Sequence, residues 1–315
     1  MDKDFEKSYN HLRSGGTGFY EQKRGLIAVW GKEAVQFLDG LISNDMKTLV
    51  DGSQMLAAFP NAQGRLLAIV RVLRQGDRFL FETEEATREK VFNNLFRFTY
   101  AGDFFVEDLS EQYRYFELFG FDAEPSLTVG LPTRAEPPAS AGGVKFTSRL
   151  TSGHFIPSDI ADNFRSGVIA ASAVEISDEL YEVLRIENGT PKYGVDMDET
   201  TIVPELGIEG LISYKKGCYI GQEIIARIHF RGHVAKQLTG LVLSEPEAVD
   251  PGLLPGAELK TADGKNAGRI TSVAFSPNLG KTIALAYVRY DYLADGTELV
   301  TDDKKVIVTS LPLIG

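Results

Sequence analysis

Hydrophobic and polar positions alternate with two different periods along the first 245 residues, which predicts both strands and helices. Short apolar runs are typical of strands, and they occupy residues 26–30, 66–73, 79–82 and 113–119. Apolar residues spaced three and four apart are typical of helices, and they occupy residues 32–41, 84–96 and 177–187. The turn Gln75-Gly76-Asp77 separates two of the strand-forming runs, which predicts a hairpin.

The helical period fades after residue 245. Short strand-forming runs continue there, and four turn-forming pairs separate them: Asp263-Gly264, Pro277-Asn278, Asp295-Gly296 and Asp302-Asp303. This pattern predicts an all-β terminal module, so the predicted fold class is α+β with a β-barrel at the end. Two proline-rich stretches, at 122–143 and 245–257, predict linkers.

Composition and charge restrict the possible partners. A chain of 315 residues exceeds one ordinary hydrophobic core, so more than one domain is expected. The net charge of -11 disfavours nucleic acid as a direct partner. Residues 211–236, however, contain five lysines or arginines and a single acidic residue, Glu223. This local charge of +4 suits a small anionic ligand.

The sequence predicts a cytoplasmic protein that has no membrane partner. No apolar run approaches the roughly eighteen residues of a membrane span. The first residues lack the charged and then apolar order of a signal peptide. A single cysteine, Cys218, excludes an intrachain disulfide, which is consistent with a reducing compartment.

The helix predicted to end at Glu187 carries a carboxylate on its apolar face. Leu180, Val183 and Leu184 form the apolar stripe, and three residues further along the stripe reaches Glu187. Burying a carboxylate without donors costs several kcal/mol, and the paired N–H groups of a pterin ring would supply donors. A structural ion pair, or exposure at a frayed helix end, explains the same spacing. Tyr181 on a neighbouring face can stack on a flat ring or belong to the core.

The segment KGCYIGQE at residues 216–223 surrounds Cys218. Glycines on both sides allow a tight turn, and a helix-forming run begins after the second glycine. Lys215, Lys216 and that helix N-terminus would all favour the thiolate, as at a reactive or metal-facing cysteine. The alternative is a buried cysteine that acts as a small hydrophobic residue.

The residue pattern does not predict a metal site built by this chain alone. An iron–sulfur cluster usually takes four thiolates, and the chain has one cysteine. The acidic run at 196–199 lacks the spacing and the glycine of a calcium loop, and it is interpreted as a solvated turn. No serine lies in a Gly-x-Ser-x-Gly elbow, which argues against a hydrolase of that type.

Five motifs, in the same order along the chain, resemble the YgfZ branch of the glycine-cleavage T-protein superfamily. They are FLDGLISND at 37–45, AAFPNAQGR at 57–65, RIENG to GVD at 185–196, KGCYIGQE at 216–223, and SPNLGK to YV at 276–288. The resemblance runs nearly from end to end, and KGCYIGQE is the motif that is similar to the signature of the branch.

The resemblance implies a three-domain T-protein-like ring around a folate pocket. Its implied parts are a discontinuous folate-binding first domain at 1–50 and 145–238, a ferredoxin-like second domain at 51–144, and a C-terminal β-barrel at 239–315. It also implies that tetrahydrofolate is the bound ligand. By position in the motifs, Glu187 would hold the pterin, Arg227 would face the glutamate tail, and Tyr181 would lie near the ligand.

The chain departs from the T-protein pattern at Leu67 and Ala68. The resemblance implies that T-proteins carry a pair of aspartates in the loop after the position that Gly64 occupies here. Leucine and alanine replace that pair in this chain, and neither can act as a general base. An ordinary enzyme is therefore not the first expectation.

The resemblance and this departure together predict a tetrahydrofolate-binding accessory factor for the assembly or repair of iron–sulfur enzymes. It would act through redox chemistry or transient metal contact at Cys218. Iron–sulfur proteins or their assembly factors would be its partners. The alternatives are a folate-dependent aminomethyl- or methyltransferase, and a folate-binding regulator whose cysteine is structural.

Overall fold

The computed structural model describes residues 3–120, 142–148, 151–244, 253–302 and 304–314. The chain divides into two compact units: the first comprises Met1–Leu38, Met46–Leu56 and Ile69–Tyr181, and the second Asp39–Asp45, Ala57–Ala68 and Glu182–Gly315. Most of both predicted linkers, at 122–143 and 245–257, lies outside the described residues. The boundaries of the three predicted domains stay a prediction.

Six α-helices lie within the described residues. They are α1 Lys3–Arg13, α2 Ala34–Leu41, α3 Glu85–Phe96, α4 Ala161–Ala170, α5 Asp178–Glu187 and α6 Gln222–Arg231. The helices predicted from the apolar period are confirmed as α2, α3 and α5, with starts that shift by one or two residues. Helix α5 begins with Asp178 and Glu179 in its first turn, where the helix dipole favours acidic side chains.

The same residues form sixteen strands. They are β1 Gly18–Gln22, β2 Arg24–Trp30, β3 Gln54–Pro60, β4 Leu66–Gln75, β5 Arg78–Glu84, β6 Phe105–Asp108, β7 Tyr113–Phe119, β8 Val144–Thr147, β9 Thr151–Pro157, β10 Val174–Glu175, β11 Lys236–Leu243, β12 Glu258–Lys260, β13 Asn266–Ser276, β14 Lys281–Arg289, β15 Glu298–Thr301 and β16 Lys304–Thr309.

Two five-stranded sheets contain the first ten strands, in the orders β3-β4-β5-β2-β6 and β10-β1-β7-β9-β8. The predicted hairpin is β4–β5: Gln75 pairs with Arg78, and Gly76 has the positive φ of 61° that a two-residue turn favours. In the other sheet, Phe19 and Phe116 pack on Phe164 of α4 in one buried cluster.

The remaining strands close into a barrel in the order β11-β14-β13-β12-β15-β16, and β16 pairs with β11. The prediction of an α+β fold with a C-terminal β-barrel is therefore confirmed.

Alternate residues of β14 pack into different clusters. Ala284 lies in one core cluster, whereas Ile283 and Leu285 lie in another that includes Ile186 of α5. This second cluster holds the end of α5, and therefore Glu187, against the barrel.

Candidate functional site

The ammonium group of Lys216 anchors the base of the KGCYIGQE turn. Its side chain has no exposed surface. Its Nζ donates hydrogen bonds to the carbonyl oxygens of Asp39 at 2.6 Å, Ile42 at 2.9 Å and Asn44 at 2.8 Å. The carboxylate of Asp39 lies 3.3 Å from the same nitrogen. One buried cation thus ties the turn to the end of α2 and to the residues that follow it.

Glycines bring two backbone segments into direct contact on the other side of the turn. Gly221 has a φ of 80°, and a Cβ atom there would lie 2.4 Å from the carbonyl oxygen of Asn61. Gly64 faces it with a φ of 70°, and its Cβ position is 3.3 Å from side-chain atoms of Ile224. The amide of Ile220 also donates to the carbonyl of Gly40 at 3.0 Å. Only glycine permits this approach, since any side chain at 221 would strike backbone.

Cys218 lies between these two supports, and it is exposed. The alternative in which it is a buried hydrophobic residue is therefore wrong. The predicted helix after the second glycine is confirmed as α6, with Gly221 at its N-cap. The effect of Lys215 and Lys216 on the thiol stays a prediction. The ammonium of Lys216 is directed inward to Asp39, whereas Lys215 lies at the surface.

Glu187 is buried, as the apolar stripe of α5 predicts, and its residue has no exposed surface. The hydroxyl of Ser276, the last residue of β13, donates to its Oε1 at 2.5 Å. Its backbone carbonyl accepts from the amide of Leu313 at 2.8 Å. Exposure at a frayed helix end is excluded by this packing. The carboxylate is thus held inside the second unit by protein donors, Ser276 among them.

The acidic run at 196–199 is only in part the solvated turn that its sequence suggests, since Asp198 and Glu199 are exposed whereas Asp196 is not. Asp196 is buried and accepts four hydrogen bonds: from Nη1 of Arg185 at 2.8 Å, from the hydroxyls of Thr271 at 2.5 Å and Ser272 at 2.6 Å, and from the amide of Lys192 at 3.0 Å. This network ties α5 to β13 of the barrel. Arg185, two residues before Glu187, is the partner that sequence spacing did not reveal.

The two remaining predicted ligand-binding residues differ in their surroundings. Arg227 lies on α6 in the second unit and is exposed. Tyr181 belongs to the first unit, where its ring stacks on Tyr20 with centroids 4.0 Å apart. Its hydroxyl donates to Glu117 at 3.0 Å and accepts from Gln22 at 3.2 Å. Burial raises the pKa of the Tyr181 phenol well above its usual value. In contrast to Tyr181, the residues Glu187, Arg227 and Cys218 all belong to the second unit.

Leu67 and Ala68 lie in the first residues of β4, where the T-protein pattern has aspartates. Ala68 is fully buried and Leu67 is partly buried. This apolar environment suits the residues present, since a carboxylate at the position of Ala68 would need a partner.

No group of three or more histidine, cysteine, aspartate or glutamate side chains among the described residues is arranged to hold a metal ion. No helix in the described part of the chain is both long and apolar enough to cross a membrane.

Comparison with known proteins gives matches over most of the chain. Residues 1–133 match the model of the GCVT N-terminal domain, and residues 236–312 match that of the glycine cleavage T-protein C-terminal barrel domain. The iron–sulfur cluster assembly factor IBA57 homolog of Mycosarcoma maydis is 27% identical over 298 residues, which cover 81% of this chain and 71% of that protein. The tRNA-modifying protein YgfZ of Escherichia coli O157:H7 is 24% identical over 298 residues, covering 90% and 88%.

A solved structure shows the same fold. The glycine cleavage system aminomethyltransferase T from Bartonella henselae superposes with a TM-score of 0.82 and 19% sequence identity, covering 98% of this chain and 89% of that one. The fold, the barrel and the two domain matches agree: the chain belongs to the glycine-cleavage T-protein superfamily. Within that superfamily it is a YgfZ-type protein, similar to both YgfZ and IBA57 relatives.

Proposed function

We propose that this chain binds tetrahydrofolate and assists the assembly or repair of iron–sulfur enzymes through Cys218. The observation that carries the proposal is the exposed thiol on a turn supported from inside by buried Lys216 and by the contact between Gly221 and Asn61. A support of this kind holds a surface thiol in one place, where a partner protein can reach it. The assembly-factor name of the Mycosarcoma maydis relative supports the same role.

The number of thiols limits what Cys218 can do. A cluster usually takes four thiolates, and this chain supplies one. We therefore propose that Cys218 contacts a metal transiently or exchanges electrons as a thiolate, while the partner supplies the other ligands. The proposed partners are iron–sulfur proteins or their assembly factors, in the cytoplasm, and neither nucleic acid nor membrane is a proposed direct partner.

The folate would be held by a carboxylate, a guanidinium group and an aromatic ring. Glu187 offers acceptor sites that suit the amino and ring N–H groups of a pterin, and Arg227 offers an exposed guanidinium that suits the carboxylates of the glutamate tail. Tyr181 is proposed as a third folate-binding residue from its position in the sequence alone, since its ring stacks on Tyr20. Because Glu187 has no exposed surface, a pterin reaches it only if the side chains packed around it move on binding.

The role of Cys218 can be tested by complementation. In a strain that lacks this gene, we expect reduced activity of an aconitase-type cluster enzyme, restored by the wild-type protein. Cys218→Ser should fail to restore it, because a hydroxyl cannot replace a thiolate as metal ligand or redox group. The purified variant should still fold and bind tetrahydrofolate, since an exposed side chain contributes little to the core.

Gly217→Ala is the matched control in the same turn. A Cβ atom at Gly217 would meet no atom within 4 Å, so this variant should complement as well as the wild type. Full complementation by Cys218→Ser would overturn the proposed role of the thiol and would favour the folate-binding regulator. If Cys218→Ser folds poorly, Cys218→Ala is tested in its place in the same assay.

Glu187→Gln is expected to weaken tetrahydrofolate binding by about tenfold or more. The substitution keeps the shape of the side chain but replaces one acceptor oxygen by a donor group, which would face the N–H groups of the pterin. Titration calorimetry measures the change. The same substitution at Glu179, which is exposed on the same helix, is the control and should leave the affinity unchanged. Equal affinities for wild type and Glu187→Gln would remove Glu187 from the site.

Aminomethyl transfer is the second candidate, since the Bartonella henselae protein with this fold carries that name. The apolar Leu67 and Ala68 argue against it here. Neither residue can take up a proton from the transferred one-carbon unit, and the buried Ala68 leaves no carboxylate at that position.

A further inference from the structure

Tyr214, His229 and Phe230 form an aromatic patch that has no role in the function proposed above. Tyr214 stacks on His229 of α6, with ring centroids 3.6 Å apart and an interplanar angle of 11°. Phe230 packs edge-on against both rings, and its centroid lies 4.7 Å from that of His229 and 6.3 Å from that of Tyr214. Three rings from two segments of the second unit are thus in contact with one another.

The aromatic patch lies at the surface. Phe230 is 67% exposed, His229 is exposed and Tyr214 is half-buried. Contiguous apolar patches, unlike single apolar side chains, mark interaction sites, and aromatic rings are enriched at the centre of protein interfaces. Because the three rings already hold one another in place, a partner that covers them restricts little further side-chain freedom.

The patch is close to Cys218. Tyr214 precedes the cysteine by four residues, so even an extended chain would place their Cα atoms no more than about 14 Å apart. Helix α6 begins four residues after Cys218. A standard interface covers about 800 Å² of each partner, which is wide enough to include both the thiol and the three rings. A protein that binds the patch would therefore also reach Cys218.

The surroundings of the patch are positively charged. Lys215 and Arg231 are its neighbours in the sequence, and both side chains are exposed. Glu223, the one acidic residue within residues 211–236, lies in the first turn of α6, whereas the patch lies at the other end of that helix. The whole chain carries a charge of -11. An acidic protein would therefore be attracted to this surface and repelled by most of the rest of the chain.

We propose that the aromatic patch, together with Lys215 and Arg231, is the docking surface for the iron–sulfur partner of Cys218, and that the partner meets it with an acidic face. The inference rests on the proposed function and adds where that partner binds. A second copy of this chain fits less well, because two identical basic surfaces would face each other in a symmetric contact. RNA also fits less well, because its charge continues along the strand and would extend over a chain of charge -11.

Complementation with surface variants tests this inference. In the strain that lacks this gene, Phe230→Ala/Arg231→Glu should fail to restore the cluster enzyme, because it removes an aromatic anchor and reverses a charge of the interface. The purified variant should fold, bind tetrahydrofolate and react with iodoacetamide at Cys218, since both substituted side chains are exposed.

Phe96→Ala/Arg97→Glu is the matched control. It makes the same two changes in an exposed Phe-Arg pair at the end of another helix, α3, and it should complement as well as the wild type. Equal loss in this control would overturn the inference. Full complementation by Phe230→Ala/Arg231→Glu would overturn the docking surface and leave the role of Cys218 intact. A cluster enzyme that needs neither this gene nor Cys218 would overturn the proposed function itself.

The charge at position 231 tests the chemistry of the partner. Arg231→Lys should complement fully, Arg231→Gln in part and Arg231→Glu least, because carboxylates of the partner face this position. These single variants also replace the double variant if it folds poorly. Equal complementation by all three would overturn the acidic partner.

Two measurements on the purified chain address the other occupants. A labelled single-stranded RNA is titrated and followed by fluorescence anisotropy, and self-association is followed by sedimentation at increasing protein concentration. We expect the wild type neither to bind the RNA nor to dimerise through this surface. RNA binding or dimerisation that Phe230→Ala/Arg231→Glu abolishes would overturn the inference and assign the patch to that occupant.

Discussion

Lys216→Met is expected to lower the free energy of unfolding of the second unit by about 3–5 kcal/mol, the usual cost of breaking a buried ion pair. The substitution keeps most of the side-chain volume but removes the donor for three carbonyl oxygens and the cation near Asp39. Each acceptor left without a partner costs about 1–3 kcal/mol. The turn that carries Cys218 should also exchange its amide hydrogens faster, because its anchor is lost.

Lys215→Met is the matched control, because it makes the same substitution one residue earlier on an exposed side chain. It should change the stability by less than about 0.5 kcal/mol. Urea denaturation followed by circular dichroism compares the two variants, and hydrogen exchange over residues 214–221 reports on the turn. If the two variants are equally stable, Lys216 does not anchor the turn.

Glu82→Gln is expected to destabilise the first unit by about 3 kcal/mol at neutral pH. Glu82 is 1% exposed and lies between two arginines: Arg24 donates to its Oε1, and Arg71 donates from Nε to its Oε2 at 2.6 Å. Arg71 also donates to the hydroxyl of Tyr115 at 2.9 Å. A neutral amide would leave both guanidinium groups without their counter-charge in a half-buried setting. Glu89→Gln, an exposed substitution on α3, is the control.

The pH dependence of this effect follows from the pKa of Glu82. Burial by itself would raise that pKa, but the charges of Arg24 and Arg71 outweigh burial and lower it from 4.5 to about 2. The unfolded chain therefore binds the proton more readily, and the stabilisation is present above pH 4.5 and lost as the pH falls towards 2. The difference in unfolding free energy between wild type and Glu82→Gln should shrink over that window. A difference that stays constant from pH 7 to pH 3 would contradict the assignment.

Local sequence patterns predicted the elements that depend on local physics. The period of apolar residues gave α3 and α5, because a helix with one buried face needs apolar residues three and four apart. The turn residues around Gly76 gave the β4–β5 hairpin, since positive φ at that position favours glycine. The inward position of Glu187 followed from the same apolar stripe.

The chemistry of the Cys218 turn was only partly predictable. The glycines and the start of α6 are local features, and the structure has both where the sequence places them. The direction of Lys216 is not a local feature. Two adjacent lysines look alike in the sequence, and the carbonyl oxygens that draw one of them inward belong to residues 39–44, more than 170 positions away.

By itself the sequence determined the fold class, the C-terminal barrel, the inward face of α5 and the turn that presents Cys218, because period, turn residues and motif order encode each of these. Tertiary structure alone decided which charged residues are buried and what they bind. Glu82 with Arg24, Asp196 with Ser272, and Lys216 with its carbonyls all join residues from separate segments. A charge can be buried only where donors or acceptors from elsewhere in the chain surround it, and no local pattern records that arrangement.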